Sequence, residues 1–191
     1  MKKLFLFNLL IFGFLLSVSA QFEIKGLVGT NFSNLTKTES GVDISPNAGY
    51  QFGAGLLIGE KFYVEPGIQF VRNTKTFSDP TDEVTFYQNF VKIPVYAGYH
   101  LLGHESGPVA LRVFAGPAAM IAGSLKGGED KISKDDIQNA LFLADVGVGL
   151  DVLFLFVELN YEYAFNSYWT DEALDANHTG FLINAGIHLD F

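Results

Sequence analysis

The chain has 191 residues, of which 49% are hydrophobic, 15% aromatic and only 17% charged, with a formal net charge of −9. This composition fits one folded domain and is too apolar for a disordered chain, while the negative charge disfavours nucleic acid as a partner because phosphate contacts require lysine and arginine. Cysteine is absent, which excludes disulfides, thiolate nucleophiles and thiolate metal ligands.

The first twenty residues have the pattern of a secretory signal peptide. A basic start precedes an apolar stretch over 4–16, and small residues follow up to Ala20. Such a stretch rises only about 20 Å as a helix, short of the roughly 30 Å hydrocarbon core that a membrane anchor must cross. We therefore expect a signal peptide at 1–20 and one domain at 21–191. A lipid-anchored start is excluded, since it needs a cysteine where Gln21 stands.

The rest of the chain alternates between apolar and polar residues, the pattern of strands with two different faces. In the clearest run, Val146 and Val148 alternate with Asp145 and Gly147. Eight such runs of roughly ten residues occur, the length that a tilted strand needs to cross a bilayer. Their apolar faces begin at Phe22, Ala48, Phe62, Val91, Val109, Phe142, Leu155 and Phe181. The sequence predicts an all-β, eight-stranded antiparallel up-and-down transmembrane β-barrel.

The connections between the runs alternate in length. Long polar connections are expected at 33–46, 72–86, 123–138 and 165–179, and short ones at 59–60, 101–107 and 152–154. Outer-membrane barrels have long extracellular loops and short periplasmic turns, so we expect both termini in the periplasm. Aromatic residues near the run ends fit the two interfacial girdles of such barrels: Phe86, Tyr87, Tyr99, Tyr161, Tyr163, Tyr168 and Trp169.

Alternation alone does not decide which face points outward, because a secreted lipocalin-like barrel uses the same pattern with apolar residues inside. Here the polar face combines charges with many glycines, which suits the narrow interior of eight strands, and the apolar face carries bulky residues with hardly a charge, as lipid requires. These features favour the outer membrane, with the lipid bilayer and lipopolysaccharide as surroundings.

Three prolines fall inside the predicted strands, namely Pro66, Pro94 and Pro117. A closed barrel has no free edge where a missing N–H group is harmless, so we expect bulges, strand ends or other local irregularities there.

The last run carries a pattern that resembles the C-terminal signal read by the barrel-assembly machinery. Ile187, Leu189 and Phe191 lie at alternate positions at its end. This resemblance implies the assembly machinery as a partner during membrane insertion.

Four short motifs resemble the PorT-like outer-membrane barrel family of Bacteroidota. They are Ile93-Pro94-Val95, Phe114-Ala115-Gly116-Pro117, Asp145-Val146-Gly147-Val148-Gly149 and Leu159-Asn160-Tyr161. The resemblance covers essentially all of 21–191 and implies the same fold and location. The namesake of the family is implicated in a secretion system, but the motifs mark barrel architecture more than activity, and the family has no catalytic residues to carry over.

The polar face carries ionisable residues that we expect to form a structural charge network in the lumen: Glu65, Lys92, Arg112, Asp145, Glu158, Glu162 and His188. A simple hairpin register predicts that Glu65 lies near Lys92 and Glu158 near His188. Mutual pairing is the simplest interpretation, because unpaired buried charge is costly. A narrow ion or proton path, or a plug with His188 as a pH switch, is the alternative.

One tripeptide resembles a catalytic motif. His104-Glu105-Ser106 is similar to the His-x-Ser of outer-membrane lipid A deacylases, where histidine activates serine, but it falls in a predicted periplasmic turn, away from the outer leaflet. The acidic loops lack the spacing of a calcium loop. We expect no catalytic residue, cofactor or metal.

The sequence therefore predicts a non-enzymatic outer-membrane barrel without an open pore. Its role would be structural or adhesive, or that of an accessory component in envelope assembly, with an envelope protein partner that the sequence does not identify. The alternatives are an outer-membrane lipid-modifying enzyme and a soluble secreted lipocalin-like ligand binder.

Overall fold

The computed structural model describes residues 22–36, 43–79, 82–103, 108–126, 137–170 and 176–191. They form eight strands in chain order: β1 (Phe22–Thr36), β2 (Asp43–Gly59), β3 (Phe62–Asp79), β4 (Asp82–Leu102), β5 (Val109–Lys126), β6 (Ala140–Val152), β7 (Leu155–Ser167) and β8 (Asn177–Asp190). Each strand pairs antiparallel with the next, and β8 pairs with β1, which closes the barrel. The predicted fold is confirmed. None of the described residues belongs to a helix long and apolar enough to cross a membrane.

Side-chain burial follows the two-residue period of the strands. From Leu141 to Val152, β6 alternates at every position between a buried and an exposed residue, because successive Cβ atoms of a strand point to opposite faces. Asp145 is buried in the lumen, whereas Val146 and Val148 are exposed on the outer wall. The apolar outer wall is the arrangement that lipid requires, and it is the reverse of a soluble ligand-binding barrel.

The strands extend well beyond the predicted runs of about ten residues. The segment 72–86, expected as a loop, is mostly paired strand, since β3 and β4 stay in register up to Asp79 and Asp82. Threonine favours this extension through its β-branched side chain, and the hydroxyl groups of the cross-strand partners Thr76 and Thr85 hydrogen-bond at 2.8 Å. The long-loop prediction for this segment is therefore wrong, because it took polarity for irregular structure.

The three prolines interrupt the ladder without changing its register. Between β2 and β3 the pairing skips Pro66 and resumes in the same register, and the same holds at Pro94 between β3 and β4 and at Pro117 between β4 and β5. The shifts in register occur elsewhere, next to Asn47, Gln88, His100 and Tyr163. The local irregularity expected at the prolines is therefore present, as a gap in the ladder and not as a bulge. Each proline costs only local hydrogen bonds, because it removes one donor while its backbone stays extended.

Tight turns join the strands at one end of the barrel. Leu153 has a φ of 56° in the two-residue turn between β6 and β7, and Gly59 has a φ of 120° at the end of β2. Two-residue hairpins favour such positive φ values because their twist then matches that of the strands. In outer-membrane barrels the end with the tight turns faces the periplasm, and the two ends of this barrel are named periplasmic and extracellular on that expectation.

Candidate functional site in the barrel lumen

Five charged side chains form a cluster near the periplasmic end of the lumen, here called the periplasmic charge cluster: Lys25, Glu65, Arg112, Asp151 and Glu158. Lys25 Nζ lies 2.8 Å from Glu65 Oε1 and 2.5 Å from Glu158 Oε1. Arg112 Nη2 lies 2.6 Å from Glu158 Oε1, and Arg112 Nε lies 2.9 Å from Asp151 Oδ2. All five are buried, so the cluster is an ion-pair network closed off from solvent.

Glycines on neighbouring strands make room for this cluster. Gly149 is the ladder partner of Arg112, and a Cβ atom on Gly149 would lie 2.9 Å from Arg112 Cζ. A Cβ atom on Gly98 would overlap the ring of Tyr63, whose hydroxyl accepts a 3.4 Å hydrogen bond from Arg112. The glycine-rich polar face therefore lets large side chains fill a narrow lumen.

A second group, here called the central charge cluster, lies further along the lumen. Lys92 Nζ lies 2.7 Å from Asp145 Oδ2 and 2.6 Å from Glu162 Oε2. The Tyr96 hydroxyl donates to Asp145 Oδ2 at 2.5 Å, and His178 Nε2 lies 2.8 Å from Glu162 Oε1. These residues are also buried. Lys92, Asp145 and Glu162 each have a partner of opposite charge, as buried charge requires.

Apolar side chains fill the extracellular end of the lumen and are here called the apolar plug. The rings of Tyr168 and Trp169 lie 5.2 Å apart at 84°, and Ile137 forms a β-bridge with Trp169. The buried members are Leu35, Val71, Phe86, Phe90, Ala118, Met120, Ile137, Leu141, Leu143, Ala164, Tyr168, Trp169 and Ala176. The expectation of a charged, glycine-lined interior is therefore correct only for the rest of the lumen. Phe86, Tyr168 and Trp169, expected in a girdle, are inside.

Lys75 is buried against this plug. Its Nζ lies 3.8 Å from the centroid of the Tyr168 ring, a cation–π contact, and among the described residues it donates to no acceptor. Burial also raises the pKa of the Tyr168 phenol, so this hydroxyl stays protonated.

Six of the seven predicted lumen residues lie in the two charge clusters, three in each, but they do not form the predicted pairs. Lys92 is the ladder partner of Gln69, and Glu158 that of Asn184. Most ion pairs instead reach across the narrow lumen between strands that are not neighbours, as the pairs of Lys25 and Lys92 do. His188 lies apart, with Nδ1 at 2.9 Å from Glu23 Oε1 near the periplasmic end. The two predicted pairs are therefore wrong.

Four members of the clusters were not in the predicted network, namely Lys25, Tyr96, Asp151 and His178. The first three had a usable signal, since each stands on the polar face of its run. His178 had none, because it lies in the predicted loop 165–179, which here is partly strand β8.

The predicted assembly signal lies within the described residues, whereas the predicted catalytic motif does not. Ile187 and Leu189 are exposed on the outer wall, and the backbone N–H of Phe191 donates to the Phe22 carbonyl at 2.8 Å. The tripeptide 104–106 lies outside the described residues, as do most of the acidic loop residues. In the described part of the chain, no group of His, Asp and Glu is arranged to hold a metal ion.

A closed antiparallel barrel of eight strands, with an apolar outer wall and a filled polar lumen, defines an integral outer-membrane β-barrel protein. Comparison with known sequences agrees. The profile of the family described as "Outer membrane protein beta-barrel domain" matches residues 17–169. The chain belongs to this family, and the protein is located in the outer membrane.

Solved structures show the same fold at low sequence identity. The outer membrane protein OprG from Pseudomonas aeruginosa is similar with a TM-score of 0.56 and 9% identity, over 90% of this chain and 96% of that chain. Neisserial surface protein A is similar with a TM-score of 0.55 and 12% identity, over 89% of this chain and 99% of that chain. No curated protein matches the chain significantly. These likenesses support the fold and carry no activity over.

Proposed function

We propose that the protein is a non-enzymatic structural barrel of the outer membrane, with no open pore, whose extracellular hairpins form a contact surface for adhesion or envelope assembly. The observation that carries this proposal is the filled lumen. Two ion-pair clusters occupy its periplasmic and central parts, and the apolar plug occupies its extracellular end. An eight-stranded barrel has room for side chains and little else, so the described lumen offers water and solutes no continuous path.

The absence of enzymatic activity is part of the same proposal. The buried carboxylates of both clusters are held by cations at 2.5–2.9 Å, away from any surface that a lipid substrate reaches. A lipid-modifying enzyme needs a nucleophile and a base on the outer wall, and every described histidine side chain faces the lumen or is partly buried near its ends.

The extracellular role is supported by the projecting strands. The hairpin of β3 and β4 stays paired as far as Asp79 and Asp82, beyond the length that a bilayer requires. Such a hairpin presents a regular surface to an envelope protein partner or to another cell. This interpretation places the protein beside lipopolysaccharide, which surrounds any barrel in the outer leaflet.

Export and assembly complete the proposal. Residues 1–20 are a signal peptide that is removed before the 21–191 domain reaches the outer membrane, and Ile187, Leu189 and Phe191 are the signal for the barrel-assembly machinery. The motifs around Pro94 and Gly147 support membership of the PorT-like group of Bacteroidota. They do not by themselves support a part in protein secretion.

A conductance measurement tests the closed lumen. Purified protein reconstituted into planar bilayers should give no stable current steps, because the buried ion pairs and the plug leave no path. Steady open-channel steps from folded protein would contradict the proposal.

A lipid-release assay tests the absence of enzymatic activity. Incubation with phospholipid and lipid A should release no fatty acid. Release that is lost in the Ser106→Ala variant would instead support the lipid-modifying enzyme.

A further inference from the structure

The described cationic side chains have an uneven distribution. Four face the lumen, namely Lys25, Lys75, Lys92 and Arg112. Lys61 lies in a periplasmic turn, and the two others, Arg72 and Lys126, lie on the outer wall towards the extracellular end. The outer wall faces lipid, where a charge is costly unless it lies at the interface. Two cations on this wall, on strands separated only by β4, therefore require an explanation.

Arg72 is held in a fixed position on the outer wall. Its neighbours in β3, Val71 and Asn73, are both buried in the lumen, so Arg72 points outward. Its Nε donates to Asn89 Oδ1 at 2.8 Å. Its Cζ lies 5.1 Å from the centroid of the Tyr50 ring and 5.9 Å from that of Tyr87, so the guanidinium is flanked by two tyrosines.

Lys126 lies on the same patch of the wall. It is the ladder partner of Tyr87, and partners that stand opposite each other share one face of the sheet. The register shift beside Gln88 brings Ser124 next to Asn89, and Asn89 Nδ2 donates to Ser124 Oγ at 2.7 Å. A hydrogen-bonded chain thus runs from Arg72 through Asn89 to β5 and fixes the surface between the two cations.

The patch keeps unused donors. Among the described residues, Arg72 Nη1 and Nη2 donate to no acceptor, and no described carboxylate side chain lies on this part of the wall. Neither cation forms an ion pair within the described part of the chain. The guanidinium therefore presents a planar pair of N–H donors outward, the geometry that matches phosphate.

The depth of the patch matches a headgroup. Arg72 stands ten residues beyond Phe62 along β3, which at about 3.3 Å per residue and about 40° of tilt is a height of roughly 25 Å, the height of the apolar band of such barrels. Below it, Ile68, Phe70 and Val91 are apolar and face lipid. Tyrosines are typical of this interface.

We propose that Arg72 and Lys126 form a binding site for the phosphate group of an outer-leaflet glycolipid, the lipid A part of lipopolysaccharide. Arg72 binds two phosphate oxygens, Lys126 adds a second positive charge, and the apolar wall below packs against the acyl chains. The site rests on the proposed orientation, with the long hairpins outside, because only then does the patch face the outer leaflet.

The chain supplies a matched control for this site. Lys61 also lies beside a tyrosine, with Nζ 5.6 Å from the centroid of the Tyr99 ring, but at the periplasmic end. The test compares wild type, Arg72→Gln/Lys126→Gln and Lys61→Gln by native mass spectrometry in detergent, with phosphorylated lipid A, dephosphorylated lipid A and inorganic phosphate as probes. Heat-modifiable gel migration establishes that each variant is folded.

We expect wild type and Lys61→Gln to bind phosphorylated lipid A about tenfold more tightly than the double variant, since charge-assisted hydrogen bonds are lost. Dephosphorylated lipid A should bind wild type as weakly as phosphorylated lipid A binds the double variant, and inorganic phosphate at equal concentration should not displace the lipid. Equal binding of both lipids to wild type, an equal loss in Lys61→Gln, or no loss in the double variant would overturn the site.

A single variant covers the case in which the double variant does not fold. Lys126 is exposed, so Lys126→Gln should fold and bind phosphorylated lipid A about threefold more weakly; unchanged binding would overturn the proposal. Failure of this site would leave the conductance result unaffected, so it is distinguishable from failure of the closed-lumen proposal.

Discussion

The two ends of the lumen are filled by opposite chemistry within one continuous inner wall. Near the periplasm, Lys25 and Arg112 form ion pairs with three carboxylates, whereas the extracellular end is packed with side chains such as Phe90 and Leu141. Both regions exclude solvent, so an inward position requires that the space be filled, but it does not require that the side chain be polar. The two regions differ in what destabilises them. Removal of a charged partner destabilises the ion-pair cluster, whereas loss of side-chain volume destabilises the apolar plug.

Removal of one cation from the periplasmic charge cluster should have the largest effect. Arg112→Met leaves Glu158 and Asp151 without their guanidinium, and we expect a loss of about 4 kcal/mol in the free energy of unfolding, because an uncompensated buried charge is strongly destabilising. Urea unfolding in lipid vesicles measures it. The control is Lys61→Met in the periplasmic turn, which should change the value by less than about 0.5 kcal/mol. Similar small effects in both variants would show that the cluster is hydrated.

Truncation in the apolar plug should cost somewhat less. Leu141 is fully buried, while Leu150 on the same strand is 46% exposed on the outer wall. We expect Leu141→Ala to lower the free energy of unfolding by about 3 kcal/mol, since it leaves a cavity. Leu150→Ala should lower it by about 1 kcal/mol or less under the same conditions. A reversed order would place the apolar core on the outer wall and contradict the inside-out arrangement.

The smallest effect should come from the glycines that make room in the lumen. A Cβ atom on Gly147 would overlap the ring of Phe114, whereas one on Gly26 would meet nothing nearer than Ile187 Cγ1 at 3.9 Å. We expect Gly147→Ala to cost about 2 kcal/mol through overpacking, and Gly26→Ala to be nearly neutral. Equal unfolding midpoints for the two variants would mean that the lumen is looser than the structure shows.

The sequence predicted the fold well because the two-residue period holds over most of each strand. The exposed face of β6, from Phe142 to Val152, matches the prediction position by position. The strand ends were less predictable, since Thr76 and Thr85 are polar and yet paired. The plug was not predicted, because Phe86 and Tyr168 look like interfacial aromatics until the closure of the barrel turns them inward.

The sequence predicted which residues face the lumen better than it predicted which of them form ion pairs. Periodicity places Glu65, Lys92 and Arg112 on the inner face, but it contains no information about contacts across the lumen. Those contacts depend on the stagger between distant strands, which a local register does not give. His188, which the hairpin register had placed near Glu158, instead pairs with Glu23 because the closure of the barrel sets β8 beside β1.

The central claim is that the apolar face of each strand contacts lipid, and a single spin label tests it most directly. The chain contains no cysteine, so a nitroxide can be attached at Val148→Cys on the outer wall, with Leu153→Cys in a periplasmic turn as the reference. In reconstituted membranes we predict that the label at 148 is more accessible to oxygen than to a water-soluble nickel complex, and that the label at 153 shows the opposite preference. Ready access of the nickel complex to position 148 in folded protein would contradict the membrane barrel.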